Sequence, residues 1–285
     1  MEGTVAVLGV GKDGQDVRER ILEGIRRNEF FLEYQPQFMA DGSRMVAVEA
    51  LLRWTRPDDA PSVTEIIRMA ETNGAIHELG AFVLREACRQ AMAWPQINVA
   101  VNVSAVQLRD PDFARGVEAI IRETGLPPQR LELEIVESAL VEDFEHATKQ
   151  IAELRRLGMT VALDDFGTGY SSLTYLLELP LDKLKIDRSI VAGVDKVQSA
   201  AIVQAVVALA RALGLRVTAE GVETEQQHRF LRACGCHCLQ GFLFSRPVPP
   251  ALISEMLAYS AGPMSPMLSR AKYEGQAARR GSAGR

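Results

Sequence analysis

The chain has 285 residues, 47% of them hydrophobic and 24% charged, with a formal net charge of −5, an ordinary composition for a soluble globular protein with one barrel-sized domain. The acidic balance argues against a partner that is a nucleic-acid polymer, because such a chain does not by itself attract polyphosphate; one that handles phosphate should recruit cations. No stretch reaches the roughly 18 uncharged apolar residues of a membrane span, since the best candidate, 200–213, carries Gln204 and Arg211, and residues 1–14 lack the basic start of a signal peptide, so a cytoplasmic location is expected.

Along the chain, residues 1–17 form an N-terminal extension of uncertain structure. Strands are predicted at 30–38 and 45–54, helices at 63–72 and 78–93, a strand at 98–104, a helix at 111–124, a strand at 131–136, a helix at 142–157, strands at 160–165 and 181–187, a helix at 197–213, a strand at 216–220, a helix at 224–233, a strand at 236–244 and a helix at 250–259. The strands are read from alternating or β-branched runs between turn signals, and the helices from 3.6-residue periodicity. In 142–157, Phe144, Thr148, Ile151 and Leu154 make one stripe and Gly158 is the stop. Eight strands alternating with helices predict an α/β fold, a parallel TIM-like (β/α)8 barrel over residues 18–259.

The helix at 197–213 is apolar on most sides, which suits deep packing or a subunit contact. Residues 260–285 are expected to be a disordered basic tail. Only about 17 residues precede the barrel, so no second signalling domain is expected within the chain, and regulation should come from dimerisation, a separate regulatory protein or the tails. Cys234, Cys236 and Cys238 crowd together, but same-face neighbours on a strand lie roughly 7 Å apart, too far to share one zinc; small buried thiols in a core strand are expected.

Parity carries the argument to a site. Val99, Val101 and Val103 share one face of their strand while Ala100, Asn102 and Ser104 share the other, and Leu131, Leu133 and Ile135 oppose Glu132 and Glu134. Likewise Thr160, Ala162 and Asp164 oppose Val161 and Leu163, and Lys183, Lys185 and Asp187 oppose Leu184 and Ile186. In a barrel the outward face meets helices, so the polar set points inward. Glu49, Asn102, Glu134, Asp164, Lys185, Glu220 and Gln240 follow at intervals of 20 to 53 residues, one per unit, as expected of a site on one rim.

Each carboxylate alone reads as a paired core residue, but Glu49, Glu134, Asp164, Asp165 and Glu220 together concentrate more negative charge than Lys185 can neutralise. A set of carboxylates with one amide and no histidine favours Mg²⁺ or Mn²⁺. Asp164 and Asp165 precede the turn Gly167-Thr168-Gly169, where the chain can bend to aim both at the rim. Two cations so held suit in-line displacement at phosphorus, so phosphodiester hydrolysis is the expected chemistry.

The stretches Glu49-Ala50-Leu51-Leu52-Arg53-Trp54, Asn102-Val103-Ser104, Glu134-Ile135-Val136-Glu137-Ser138, Asp164 to Leu173, Lys185-Ile186-Asp187, Ala219 to Thr224 (with Glu223) and Gln240-Gly241-Phe242 closely resemble the EAL-domain phosphodiesterases of cyclic di-GMP, in order and spacing, over about residues 18–258. The resemblance implies a barrel whose first strand runs antiparallel to the rest, and a linear product, pGpG. It implies that Glu49, Asn102, Glu134 and Asp164 hold one metal and Asp164, Asp165 and Glu220 the second. Lys185 would contact the nucleophilic water, Glu220 would act as general base or water orienter, and Gln35, Arg53 and Gln240 would contact substrate. The segment Asp165 to Leu173, with Gly167 and Gly169 and anchored by Glu137, resembles the loop that couples dimerisation to metal binding, so a homodimer is implied.

The segment Thr55 to Ser62 departs from the longer glycine-containing loop common in that family, which puts substrate-edge contacts from it in doubt. The alternative reading is a catalytically inactive cyclic di-GMP receptor acting through a partner; such receptors typically lose part of the ligand set or the loop, and both are present here. An unrelated metal-dependent barrel enzyme would not need Asn102 together with two adjacent aspartates.

Overall fold

The computed structural model describes residues 13–55, 61–140, 143–167 and 173–260. The expected basic tail, most of the N-terminal extension, much of the loop after Trp54, and the segment 168–172 with Gly169 lie outside the described residues.

All eight expected strands form: β1 (Phe30–Met39), β2 (Met45–Trp54), β3 (Asn98–Val103), β4 (Leu131–Val136), β5 (Thr160–Phe166), β6 (Lys183–Ile186), β7 (Arg216–Ala219) and β8 (Cys238–Gln240). They close in sequence order into a barrel. β1 runs antiparallel to both β2 and β8, and every other neighbouring pair is parallel, as the resemblance implied. β6 and β8 are shorter than expected. Leu181 and Asp182 belong to the turn before β6, and after β8 the chain turns at Gly241.

The helices are α1 (Asp13–Arg26), α2 (Val63–Asn73), α3 (Ile76–Ala91), α4 (Ala105–Leu108), α5 (Phe113–Thr124), α6 (Phe144–Arg156), α7 (Leu173–Glu178), α8 (Arg188–Val191), α9 (Val197–Ala212), α10 (Glu225–Cys234) and α11 (Pro250–Ser260). The expected helices all form within a few residues of their predicted ends. α1 was not expected, although Val17, Ile21 and Ile25 recur at four-residue spacing and pack on the core. The short α4, α7 and α8 span a turn or two each and are too brief to leave a periodic signature.

Ser62 caps α2 reciprocally with Glu65, fixing where the helix begins. In α6, Ile151 and Leu154 are buried while Thr148 is half-buried and bonds back to the Phe144 carbonyl at 2.7 Å. Gly158 ends that turn with φ +97°, a conformation glycine adopts without a steric penalty.

The parity expectation holds for the apolar face, but Ser104 and Asp187, expected on the inward face, lie past their strands and cap α4 and α8. Val99, Val101, Leu131, Leu133, Ile135, Val161, Leu163, Leu184 and Ile186 are buried in the apolar core. Lys183 on β6 donates to Glu132 on β4 at 2.6 Å, and β5 lies between those strands, so this bond crosses the barrel interior. Of the clustered cysteines, Cys238 lies in a strand, but Cys234 ends α10 and Cys236 sits in the connection, so the expectation of a shared strand is corrected: Gly235 at φ +94° closes the helix first. All are free thiols, and burial pushes Cys236 up to about 12. In α9, Val203, Val206, Val207 and Ala210 are buried, whereas Val197 is 82% and Ile202 43% exposed. The helix therefore packs on one stripe and presents apolar side chains outward. Among the described residues, no helix is long and apolar enough to cross a membrane.

Candidate functional site

The barrel gathers its inward polar residues at the C-terminal ends of β2 to β8. Glu49 on β2 is joined from two sides: Asn102 Nδ2 donates to Oε1 at 2.7 Å, and Gln240 Nε2 donates to Oε2 at 2.6 Å. The same Gln240 amide donates to Gln35 Oε1 at 3.1 Å, and Gln35 Nε2 donates to the Ser245 carbonyl at 3.2 Å. Asn102 lies in register with Glu134, and Gln35 with Glu49. Lys185 on β6 occupies the centre. Its Nζ lies 2.7 Å from Glu134, 3.0 Å from Asp164 and 2.6 Å from Glu220. Only the Asp164 contact has hydrogen-bond geometry.

Charge explains the state of these groups. Burial alone would drag the Lys185 ammonium down, but Glu134, Glu220, Glu49 and Asp164 surround it and push it well above the usual lysine range. Burial raises Glu134 strongly, against the pull of Lys185, with Glu49, Asp164 and Glu132 adding to the rise. Burial likewise lifts Glu220 to about 8, with Lys185 opposing and Asp164 and Glu49 reinforcing. Asp165 is raised by burial and by Asp164 and Asp187.

One lysine thus faces more buried carboxylates than it can satisfy. Glu134 is 0% exposed and its Oε1 has no hydrogen-bond partner among the described residues. Among the described residues, no three acidic or imidazole side chains already surround a common point at cation distance, because the ammonium holds the centre. The donor chemistry nevertheless fits hard divalent cations: every candidate ligand atom is oxygen, and a buried carboxylate oxygen is left without a partner.

Backbone features aim the side chains. The β5–β6 register breaks between Leu163 and Phe166, and Asp165 sits at φ +56°, unusual for a residue with a Cβ. This bulge turns Asp164 and Asp165 out of simple alternation, and the Asp165 amide donates to Asp164 Oδ1 at 2.9 Å. Gly167 follows at φ +96°, where a Cβ would lie 2.6 Å from Ile190. At the other edge, a Cβ on Gly241 would come within 2.2 Å of the Val222 backbone, while Val222 N donates to the Gln240 carbonyl at 3.0 Å. That close approach ties Gln240 to the loop carrying Glu220.

Glu49, Asn102, Glu134, Asp164, Lys185, Glu220, Gln240 and Gln35 form one connected cluster, with Asp165 beside it. Arg53 stands further out on β2 and pairs with Glu33 at 2.8 Å. Glu137 begins the turn after β4, half-buried, with no hydrogen-bond partner for Oε2 among the described residues. Glu223 is exposed, and its backbone amide is capped by Gln227; its side chain does not join the cluster. Sequence reasoning missed Glu33, whose signal is positional: on a strand paired to β2 it shares a face with Gln35. It also gave no role to the Glu132–Lys183 pair beneath the site.

A family model described as EAL domain matches residues 18–247. The protein described as bifunctional diguanylate cyclase/cyclic di-GMP phosphodiesterase MucR, from Pseudomonas aeruginosa, is 41% identical over 236 residues, covering 80% of this chain and 34% of that protein. The solved structure of the PaMucR phosphodiesterase in its c-di-GMP complex superposes with a TM-score of 0.79 at 39% identity, covering 84% of this chain and 99% of that one. The calcium and cyclic di-GMP complex of Klebsiella pneumoniae BlrP1 gives a TM-score of 0.69 at 29% identity, covering 77% and 56%. The chain spans about a third of the length of the first curated relatives it matches.

Proposed function

The chain belongs to the EAL-domain family, and from that premise we propose that it is a metal-dependent, cytoplasmic phosphodiesterase that hydrolyses cyclic di-GMP to linear pGpG. The observation that carries this is the convergence of Glu134, Asp164 and Glu220 on Lys185 inside the barrel, in the same lumen as the bonded pair Glu49 and Asn102. Relatives named for this activity, and a neighbour solved with the dinucleotide, support the same substrate.

In this reading Glu49, Asn102, Glu134 and Asp164 would hold one Mg²⁺ or Mn²⁺, and Asp164, Asp165 and Glu220 would hold a second. When bound, such ions neutralise charge at the phosphoryl group and lower the pKa of a water. Glu220, 2.6 Å from Lys185, would take the proton of the attacking water, and Lys185 would orient that water and offset the anionic charge. Attack at phosphorus would break the bond to the 3′ oxygen and open the ring; the leaving oxygen takes up a proton from solvent, and Glu220 releases to solvent the proton it took from the water. Gln35 and Gln240 form the floor beside Glu49, and Arg53 offers its guanidinium to a phosphate. Gly167, Glu137 and Glu223 belong to the turns flanking this rim, Gly169 is assigned to the same regulatory loop by the family resemblance alone, and the homodimer implied by the family would use the exposed apolar side of α9.

Incubating the purified protein with cyclic di-GMP and Mg²⁺ or Mn²⁺ should yield pGpG by chromatography. Glu49→Ala should abolish the product while circular dichroism shows an intact fold. Binding without turnover across a series of divalent cations overturns the hydrolase in favour of a receptor.

A further inference from the structure

Arg53, the outermost of the proposed substrate contacts, is held from two sides. Its Nε donates to Glu33 Oε2 at 2.8 Å and its Nη1 donates to the Leu52 carbonyl at 3.0 Å. Among the described residues no other hydrogen bond to it is made, and none of them accepts from Nη2. The antiparallel register pairs Glu33 with Leu51 and Phe31 with Arg53, which places Glu33 diagonal to Arg53 and within reach of a long side chain. Two residues down the same face, Gln35 stands opposite Glu49, so the β1–β2 hairpin carries the catalytic face outward from the rim. Arg53 lies about 14 Å along the strand from Glu49, at four residues of strand rise.

We propose that Glu33 is a positioning residue for substrate binding, an inference that rests on the phosphodiesterase reading. Side-chain exposures of 33% for Arg53 and 27% for Glu33 describe a pair at the mouth, where an ion pair adds little to stability. Its effect lies in order. A free arginine must be immobilised when it meets a phosphate, whereas this one is already fixed by two bonds, with Nη2 taken by none of the described residues. Glu33 also carries a negative charge toward a dianionic substrate. Were that repulsion dominant, Glu33 would weaken binding, and the two roles have opposite signs.

The test is steady-state kinetics of Glu33→Ala with cyclic di-GMP. Loss of pre-organisation should raise KM about three- to tenfold, the cost of ordering one such side chain on binding, with kcat moving far less. In an Arg53→Ala background the Glu33 substitution should have no further effect, a coupling that a merely structural role would not produce. An unchanged or lower KM, or additive effects of the two substitutions, overturns the proposal. Should the wild-type protein bind the dinucleotide without turning it over, the hydrolase reading fails alone, and calorimetric Kd values for the same variants decide on Glu33 by the same signs. If wild-type protein does not bind it at all, both fall.

Discussion

Lys185 shows how much a single side chain decides. It is the buried cation facing Glu134, Asp164 and Glu220, and removing it leaves those carboxylates uncompensated. Lys185→Met should cost about 3–5 kcal/mol in urea unfolding with chelator present. Thr218 is the reverse case: it is 0% exposed and its hydroxyl has no hydrogen-bond partner among the described residues. Thr218→Val should therefore stabilise the fold by about 1 kcal/mol in the same assay, and a loss of stability would show that the hydroxyl is satisfied. The identity of the site residues was legible because alternation assigns a face to each side chain. The centring of the ammonium was not, since it depends on side-chain reach across the lumen. The bulge at Asp165 likewise breaks the alternation from which the rest was read.

At the scale of elements, the entry and exit of β8 carry separate consequences. At its entry, burial together with Arg216 and Arg211 holds His237 below the usual 6.5, and its Nδ1 accepts the Val217 amide at 2.9 Å. The folded state binds this proton less tightly than the unfolded chain. The contribution of His237 to stability is therefore complete above pH 6.5 and is lost as the pH falls below it. An NMR titration of the His237 ring should give a midpoint below 6.5, and a midpoint above it refutes the assignment. At its exit, Gly241→Ala would drive a methyl into the Val222 backbone. Since Gln240 must then shift from Glu49, KM for the dinucleotide should rise and the melting temperature should fall. The strands were readable from β-branched runs, whereas α4, α7 and α8 were not, because a helix of one or two turns leaves no period to detect.

For the whole molecule, the outward side of α9 bears on assembly. Val197 and Ile202 are exposed, and the proposed homodimer would bury them. The double substitution Val197→Asp, Ile202→Asp should shift the mass seen by light scattering from dimer to monomer; a wild-type monomer at the same concentration would refute the dimer. By itself the sequence determined the order of the elements and the face each polar residue occupies, because both follow from local periodicity. It did not determine which residues touch. Glu49 and Gln240, 191 residues apart, meet at 2.6 Å because β1 runs antiparallel between β2 and β8 and closes the ring. Closure is a property of all eight strands at once, and only the tertiary structure decides how a shared inward face becomes a cluster of contacting atoms.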